Sequence, residues 1–276
     1  MNPIKVMING LPGNVATMLI RHARLGDRFE VLPFSLTGQE IDDDRVEVDG
    51  FGVALIRPDV REDRMAAIIA AESPFISIDF THPSAVNGNA AFYCAKGLPF
   101  VMGTTGGDRD QLDGTVRNGS VPAVIAPNMA RQIVGFQAMM EYAAETFPGL
   151  FKGYNASVRE SHQAGKADTS GTAKAVVGSL QRLGIDFAAD RIEMERDPVA
   201  QQKEWGIPEE HLTGHGWHTY TLESPDKTAL FAFTHNINGR DIYAQGTLEA
   251  VEFLAAKIEA GIGGEVFSMI DVLKGV

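Results

Sequence analysis

Residues 4–16 read IKVMINGLPGNVA, and this stretch decides the fold class. The apolar run 4–8 is typical of a buried strand, and an apolar helical pattern follows through Ile20. The glycines between them, Gly10 and Gly13, permit a tight turn that lets backbone N–H groups approach a pyrophosphate. The order of strand, glycine loop and helix indicates dinucleotide binding, although Ala16 departs from the G-x-G-x-x-G pattern. On this motif alone, a glycine-bearing loop without a ligand stays an equal alternative.

Short apolar runs and amphipathic stretches continue to alternate as far as residue 128. Strands separated by helices at this spacing predict right-handed βαβ units and a parallel sheet. The further predicted strands are 29–34, 75–80, 98–103 and 121–127, and the further predicted helices are 63–72, 83–95 and 108–117.

The pattern changes after Asn128. Segments of mixed polarity follow, which predict an open, largely antiparallel sheet with one covered face. The predicted strands are 156–162, 190–197, 217–224 and 229–236, and the predicted helices are 133–147, 172–183 and 248–260. We expect an α/β chain in which a Rossmann-like, doubly wound domain (1–128 plus 242–276) is joined to an α+β domain (129–241).

Composition excludes several classes of protein. The chain has 276 residues and a net charge of −12, which disfavours binding to nucleic acid. Its one cysteine, Cys94, excludes an internal disulfide framework and a cysteine-rich zinc module. It has no apolar run long enough to cross a bilayer and no signal-peptide pattern after Met1, so we expect a cytoplasmic or plastid-type interior location. We expect no metal, since His215 and His218 on one strand face opposite sides.

Loops at the carboxyl ends of the predicted strands are candidates for holding a coenzyme, because open α/β sheets bind ligands there. Hydroxyl groups at Ser35 and Thr37, with no carboxylate before Glu40, favour NADPH, with NADH possible; a merely polar turn is an equal alternative. The candidate cofactor-binding residues are Gly10, Leu11, Pro12, Gly13, Asn14, Val15, Ser35, Thr37, Phe80, Thr81, Gly103, Thr104, Thr105, Ala126, Pro127, Asn128 and Met129.

Residues 160–173, ESHQAGKADTSGTA, bring several ionisable and hydroxyl side chains together in one stretch. The turn 170–172 opens a predicted helix, whose N–H groups and hydroxyls suit a carboxylate. Lys166 adds positive charge, and His162 titrates near neutrality. A hydrolase triad of Ser170, His162 and Asp168 is an alternative, although the chain lacks the G-x-S-x-G elbow there. A polar loop with a capping serine is another alternative.

The motifs GLPGNV, DFTHPSAV, FVMGTTGG and ESHQAGKADTSGTAKA together resemble the dihydrodipicolinate reductase family, and ESHQ resembles its plant-type branch. GIPEEHLTGHGWHTYTLESPD (206–226) and HNINGRDIYAQGT (235–247) extend the resemblance over essentially the whole chain. The resemblance implies reduction of 4-hydroxy-tetrahydrodipicolinate by NAD(P)H in lysine and diaminopimelate biosynthesis. It also implies a homo-oligomer, dimer or tetramer, built through the second domain.

The resemblance further assigns roles to residues of the second domain. His162 is implied as the proton donor, with Lys166 beside it. The implied substrate-binding residues are Gln163, Ser170, Gly171, Thr172 and Arg240. Gln163 stands where the commoner bacterial form has a second histidine. A non-catalytic nucleotide-binding regulator, or a reductase of another cyclic imine dicarboxylate, stays an alternative because fold does not fix function.

Overall fold

The computed structural model describes residues 2–275. The chain divides into two compact units, which we call the N-terminal unit (Met1–Arg131 with Asp241–Val276) and the middle unit (Gln132–Arg240). The coenzyme and substrate roles assigned to the two predicted domains stay predictions.

The described residues form strands and helices with the following bounds. The strands are β1 (Ile4–Asn9), β2 (Phe29–Val31), β3 (Phe34–Leu36), β4 (Arg45–Val48), β5 (Phe51–Ile56), β6 (Ile76–Asp79), β7 (Phe100–Met102), β8 (Ala123–Ile125), β9 (Asn155–His162), β10 (Glu193–Glu195), β11 (His215–Glu223), β12 (Leu230–Asn238) and β13 (Val266–Phe267). The α-helices are α1 (Asn14–Ala23), α2 (Arg61–Glu72), α3 (Val86–Ala95), α4 (Arg109–Arg117), α5 (Arg131–Thr146), α6 (Gly171–Arg182), α7 (Pro198–Lys203), α8 (Asp241–Glu259) and α9 (Met269–Lys274).

The N-terminal unit is built on a six-stranded sheet in the order β13-β8-β7-β6-β1-β2. Every pairing in it is parallel, which confirms the predicted Rossmann-like class. Its strands are nearly all apolar because helices cover parallel sheets on both faces. Helix α8 packs against α1 and β7 of this unit. Its Gly246 lies so close to the Met129 carbonyl that a side chain there would overlap it.

The structure corrects the predicted strand 29–34. Its first half is β2 of the large sheet, and its last residue begins β3 of a separate three-stranded sheet, ordered β3-β5-β4. The division falls at Pro33, because proline has no N–H to donate to a ladder. Leu32 still donates to the Val6 carbonyl, whereas the Pro33 carbonyl accepts from Ala54 on β5. The hairpin β4–β5 was absent from the sequence prediction.

The middle unit contains a four-stranded sheet in the order β10-β9-β11-β12. β11 pairs antiparallel with β9 and β12, as predicted, but β10 runs parallel to β9. One face, which includes Val158, Tyr220 and Leu222, forms an apolar core with residues of α5 and α6. No helix within residues 2–275 is long and apolar enough to cross a membrane.

Candidate functional site

Four loops follow the carboxyl ends of neighbouring parallel strands in the N-terminal unit. The backbone N–H groups of Phe80, Gly103 and Ala126 each donate to the last residue of the strand beside them, at 3.0–3.1 Å. The loops after β1, β6, β7 and β8 therefore lie at one edge of the sheet. This is the edge where open α/β sheets bind ligands.

The loop after β1 needs its glycines. Gly10 has φ +109°, and a Cβ there would overlap the Phe80 carbonyl. A Cβ on Gly13 would lie 2.7 Å from the Gly10 oxygen. Gly13 also precedes α1, whose first turn carries no acidic residue. The N–H groups of the first turn of α1, which no side chain caps, and the helix dipole thus suit a phosphate, so the residues present fit a dinucleotide coenzyme.

A cavity of about 1050 Å³ opens beside this loop. The sequence-predicted residues that line it are Gly10, Leu11, Pro12, Gly13, Asn14, Thr37, Phe80 and Thr81. Residues that the sequence did not single out also line it, and they include Gln39, Glu40, Arg61, His82 and Asn89. The predicted residues outside its lining are Val15, Ser35, Gly103, Thr104, Thr105, Ala126, Pro127, Asn128 and Met129.

The structure corrects the role expected of Ser35. Its side chain is fully buried, accepts from the Leu11 N–H at 3.3 Å and donates to the Leu36 carbonyl. This hydroxyl supports the glycine loop and does not face the cavity. Thr37 does line the cavity, although its hydroxyl donates to the Leu11 carbonyl at 2.7 Å.

A buried carboxylate that the sequence reading missed holds two of these loops. Asp79, at the end of β6, is fully buried. It accepts from the hydroxyls of Thr104 at 2.6 Å, Tyr93 at 2.8 Å and Thr81 at 2.9 Å. Burial and the Asp79 charge raise the pKa of Tyr93 well above its usual value, so the phenol stays a donor. Asp79 therefore ties the loops after β6 and β7 to helix α3.

In the middle unit, strand register gathers four titratable side chains on one face of the sheet. His218 on β11 pairs with Glu160 on β9 and with His235 on β12. His162 lies two residues beyond Glu160 and therefore shares its face. Gly216 pairs with His162, and a Cβ there would lie 3.0 Å from the imidazole Cε1, so the missing side chain leaves room for the ring. Directly opposed side chains such as these lie in contact.

Glu160 anchors the loop that follows β9. The carboxylate is fully buried and accepts from Arg196 at 2.6 Å and from the Ser170 N–H at 3.0 Å. Arg196 also donates to the Lys166 carbonyl at 2.8 Å. A buried charge requires such a partner, because burial without one is costly. This pair fixes the middle and the far end of loop 163–170.

The His162 ring is held at both nitrogens. Nδ1 lies 3.0 Å from the His215 carbonyl, and Nε2 lies 3.3 Å from Nε2 of His218. Burial lowers the pKa of His162, partly offset by the nearby Glu160 charge. Burial also lowers the pKa of His218 to about 2 and that of His235 to about 4. His218 and His235 are therefore neutral near pH 7.

The remaining predicted residues of the middle unit lie around the same end of its sheet. Lys166 donates to Asp168 at 2.7 Å, and this bond holds the pKa of Asp168 below its usual range. Ser170 precedes α6 without capping it through its side chain, so the helix N–H groups of Gly171 and Thr172 lack that acceptor. Gln163 begins the loop after β9, and its carbonyl accepts from the Lys166 N–H.

Arg240 lies at this same end, just beyond β12. Its guanidinium lies 3.1 Å from the position that a Cβ on Gly214 would occupy, immediately before β11. The structure thus places all the predicted catalytic and substrate-binding residues in the loops and strand ends at one end of this sheet.

Glu160, His162 and His218 also place one possible ligand atom each within 4.8 Å of one another. The Glu160 oxygens already accept from Arg196 and Ser170, so a cation would have to displace a buried ion pair. His215 lies on the other face, where its ring contacts Ser161 at 2.9 Å. The expectation that no metal is needed stays a prediction.

Known proteins resemble the chain along its length. The family model for the N-terminus of dihydrodipicolinate reductase matches residues 4–129, and the model for its C-terminus matches residues 133–273. The 4-hydroxy-tetrahydrodipicolinate reductase 1, chloroplastic, of Arabidopsis thaliana is 46% identical, covering 99% of this chain and 78% of that protein. The bacterial 4-hydroxy-tetrahydrodipicolinate reductase of Aromatoleum aromaticum is 30% identical, covering 99% of this chain and 96% of that protein.

A solved structure agrees with the fold. The dipicolinate-bound dihydrodipicolinate reductase from Paenisporosarcina sp. TG-14 superposes with a TM-score of 0.67 at 17% identity, covering 96% of this chain and 97% of that one. The sequence relationship to the Arabidopsis protein is much stronger and confirms the plant-type resemblance. The chain belongs to the dihydrodipicolinate reductase family, oxidoreductases of lysine and diaminopimelate biosynthesis.

Proposed function

We propose that the chain reduces 4-hydroxy-tetrahydrodipicolinate to tetrahydrodipicolinate, with loss of water, and that residues of its middle unit bind the substrate and supply the proton. The observation that carries this proposal is the grouping of His162, Lys166 and the start of α6 at one end of a single sheet.

The substrate is a dicarboxylate, and the middle unit offers two groups of donors. The N–H groups of Gly171 and Thr172 at the start of α6, with the Ser170 hydroxyl, suit one carboxylate. Lys166 supplies a full positive charge for this carboxylate. Its present partner Asp168 has a largely exposed side chain, so a substrate carboxylate can replace that weak ion pair.

The second carboxylate of the substrate needs donors of its own. We assign Gln163 and Arg240 to it, since both lie at the same end of the sheet. Glutamine donates without adding charge, whereas arginine can hold a carboxylate through two N–H groups.

When bound, the reduced nicotinamide supplies the hydride. Dehydration followed by reduction consumes one proton overall, and His162 is the group we assign to deliver it. A protonated imidazole carries a hydrogen on both nitrogens, and the backbone carbonyl of His215 holds the one on Nδ1. The Nε2 hydrogen is the one we assign for transfer, and its transfer requires the imidazole to turn from its contact with His218 toward the substrate. Lys166 lies in the adjoining loop and stabilises the negative charge that the substrate carries.

The coenzyme loop proposed here is the stretch from Gly10 to Val15, with the loops after β6, β7 and β8 beside it. We propose NADPH as the preferred coenzyme, with NADH also used. Arg61 lines the cavity and favours a 2′-phosphate, while Glu40, which lines it as well, favours a 2′-hydroxyl. The two charges oppose each other, so we expect a modest preference.

We also propose a homo-oligomer, dimer or tetramer. β12 is the outer strand of the middle unit's sheet, and its Leu230 and Phe231 are 61% and 43% exposed. Exposed apolar side chains on an outer strand favour pairing with another copy. Light scattering that showed a stable monomer at micromolar concentration would refute this proposal. For location we propose cytoplasm or a plastid-type interior, supported by the chloroplastic relatives.

A coupled assay tests the function. A dihydrodipicolinate synthase supplies the substrate, and NADPH absorbance follows its reduction by this chain. We expect substrate-dependent oxidation of NADPH that Lys166→Ala weakens by raising the substrate KM and lowering kcat. NADPH binding without any oxidation would instead favour a nucleotide-binding regulator. Oxidation with a different cyclic imine dicarboxylate alone would favour a related reductase.

A further inference from the structure

His218 has no part in the proposed chemistry, yet it lies at the centre of the titratable cluster. It lies on β11, between β9 and β12, directly opposite Glu160 on one side and His235 on the other. Its side chain is 4% exposed, so no substrate of appreciable size can contact it. Its Nε2 nevertheless lies 3.3 Å from Nε2 of His162.

The hydrogens on the His162 ring follow from its neighbours. A carbonyl oxygen only accepts, so Nδ1 of His162 must carry the hydrogen that bonds to the His215 carbonyl. In the neutral ring Nε2 is then bare and accepts. The contact with His218 is a hydrogen bond only when His218 carries its own hydrogen on Nε2.

The surroundings of His218 favour that tautomer. Its Nδ1 is buried and has no hydrogen-bond partner among residues 2–275. A hydrogen placed there would be a buried donor without an acceptor, which is unfavourable. On Nε2 the hydrogen instead faces the bare Nε2 of His162, with a Glu160 oxygen 3.7 Å away.

We propose that His218 is a positioning residue for His162, whose imidazole it orients and whose neutral tautomer it fixes by donating its Nε2–H to the His162 Nε2. The inference rests on the proposed function only in naming His162 as the proton donor. His218 itself is held by packing: the His235 ring lies 4.5 Å away between centroids, and the Tyr220 ring is parallel to that of His218 at 6.4 Å.

The hydrogen bond from His218 affects the pKa of His162. Donation to the bare nitrogen stabilises neutral His162 and so favours release of its proton. The other groups facing this pair are Glu160 on β9, His235 on β12 and Tyr220 on β11, together with Arg196 and Lys166. Glu160 raises the pKa of His162, whereas burial, Arg196 and Lys166 lower it. His218 acts in the same direction as burial.

Histidine NMR titration tests the proposal in the full-length protein without substrate. His218→Leu fills the site but donates nothing, whereas His218→Gln keeps an amide N–H near the former Nε2. We expect the Leu variant to raise the His162 pKa by about half a unit to one unit, the effect of one lost hydrogen bond. We expect the Gln variant to restore most of the wild-type value. Equal values in wild type and the Leu variant, or no difference between the two variants, would overturn the proposal.

Two further measurements separate the possible failures. In wild type, nitrogen chemical shifts report the tautomers directly. We expect His162 to carry its hydrogen on Nδ1 and His218 on Nε2, and a hydrogen on Nδ1 of His218 would overturn the proposal even if a variant failed to fold. The coupled assay of wild type tests the proposed function alone. Activity with unaltered titrations refutes only the role of His218, and inactivity with the expected titrations refutes only the proposed function.

Discussion

The two candidate sites of this chain differ in whether backbone or side-chain groups form them. In the N-terminal unit the coenzyme loop is shaped by its backbone. Main-chain atoms occupy the space where side chains of Gly10 and Gly13 would lie, so only glycine fits at these positions. In the middle unit the site is a side-chain structure, in which Glu160, His162 and His218 meet across strands. The first site offers fixed N–H donors for binding. The second offers charged and hydrogen-bonding side chains around His162, the group that we propose as the proton donor.

The same difference governs what a substitution does. Hydroxyls near the coenzyme loop bond to their own scaffold, as Ser35 and Thr104 show. We therefore expect changes there to alter coenzyme binding through the shape of the backbone. In the middle unit, burial and neighbouring charges shift the histidine pKa values, so we expect changes there to alter the proton transfer that we propose.

The largest expected effect comes from removing the His162 ring. His162→Ala should lower kcat by about 10²- to 10⁴-fold, the usual loss when a positioned acid is removed. The substrate KM should change little, because the donors at α6 and Lys166 remain. Steady-state kinetics in the coupled assay measure both. His211→Ala, which alters another histidine of the same unit, should keep wild-type kcat; if His162→Ala also keeps it, the proton comes from another group.

A smaller effect is expected from displacing the same ring without removing it. In Gly216→Ala the new Cβ would lie 3.0 Å from Cε1 and 3.4 Å from Nδ1 of His162, so the imidazole must shift. Misplacement of a catalytic group on this scale lowers kcat by roughly ten- to a hundredfold.

The matched control for that substitution is Gly178→Ala on α6. There a Cβ would meet nothing within 4 Å, so kcat should stay at the wild-type level. Equal kcat values for Gly216→Ala and Gly178→Ala would show that the His162 position is not critical.

The smallest effect concerns coenzyme choice. The Glu40 carboxylate lines the cavity, where it would repel a 2′-phosphate and accept a hydrogen bond from a 2′-hydroxyl. Glu40→Gln removes this negative charge. The ratio of kcat/KM for NADPH to that for NADH should rise by roughly fivefold, as expected for an exposed charge worth about 1 kcal/mol. Asp43→Asn, an exposed acid outside the cavity lining, is the control. An unchanged ratio in Glu40→Gln would place the ribose elsewhere.

The parallel sheet was predictable from sequence because its signals are local. Each apolar run and each amphipathic stretch is contiguous, so β6, β7 and β8 lie within the predicted segments and β1 extends only one residue beyond the run 4–8. The division of segment 29–34 at Pro33 is also a local signal, and the prediction overlooked it. β4 was missed because its residues alternate between charged and apolar, whereas the apolar run of β5 is a local signal that the prediction overlooked.

The middle-unit site was predictable only in part. His162 and Lys166 share one motif, and the alternation of β9 could have added Glu160 to the face of His162. His218 and His235 lie 56 and 73 residues from His162, and they join it only through strand register that the sequence does not reveal. Arg196 likewise reaches Glu160 from outside the motif.

The central claim is that binding of the coenzyme and delivery of the proton depend on separate groups. Fluorescence titration of NADPH binding to the Gly10→Ala and His162→Ala variants tests it most directly. An alanine at φ +109° overlaps the Phe80 carbonyl, so Gly10→Ala should raise the NADPH dissociation constant by about tenfold or more. His162→Ala should leave that constant at the wild-type value. A weakened constant in His162→Ala, or an unchanged one in Gly10→Ala, would contradict this account.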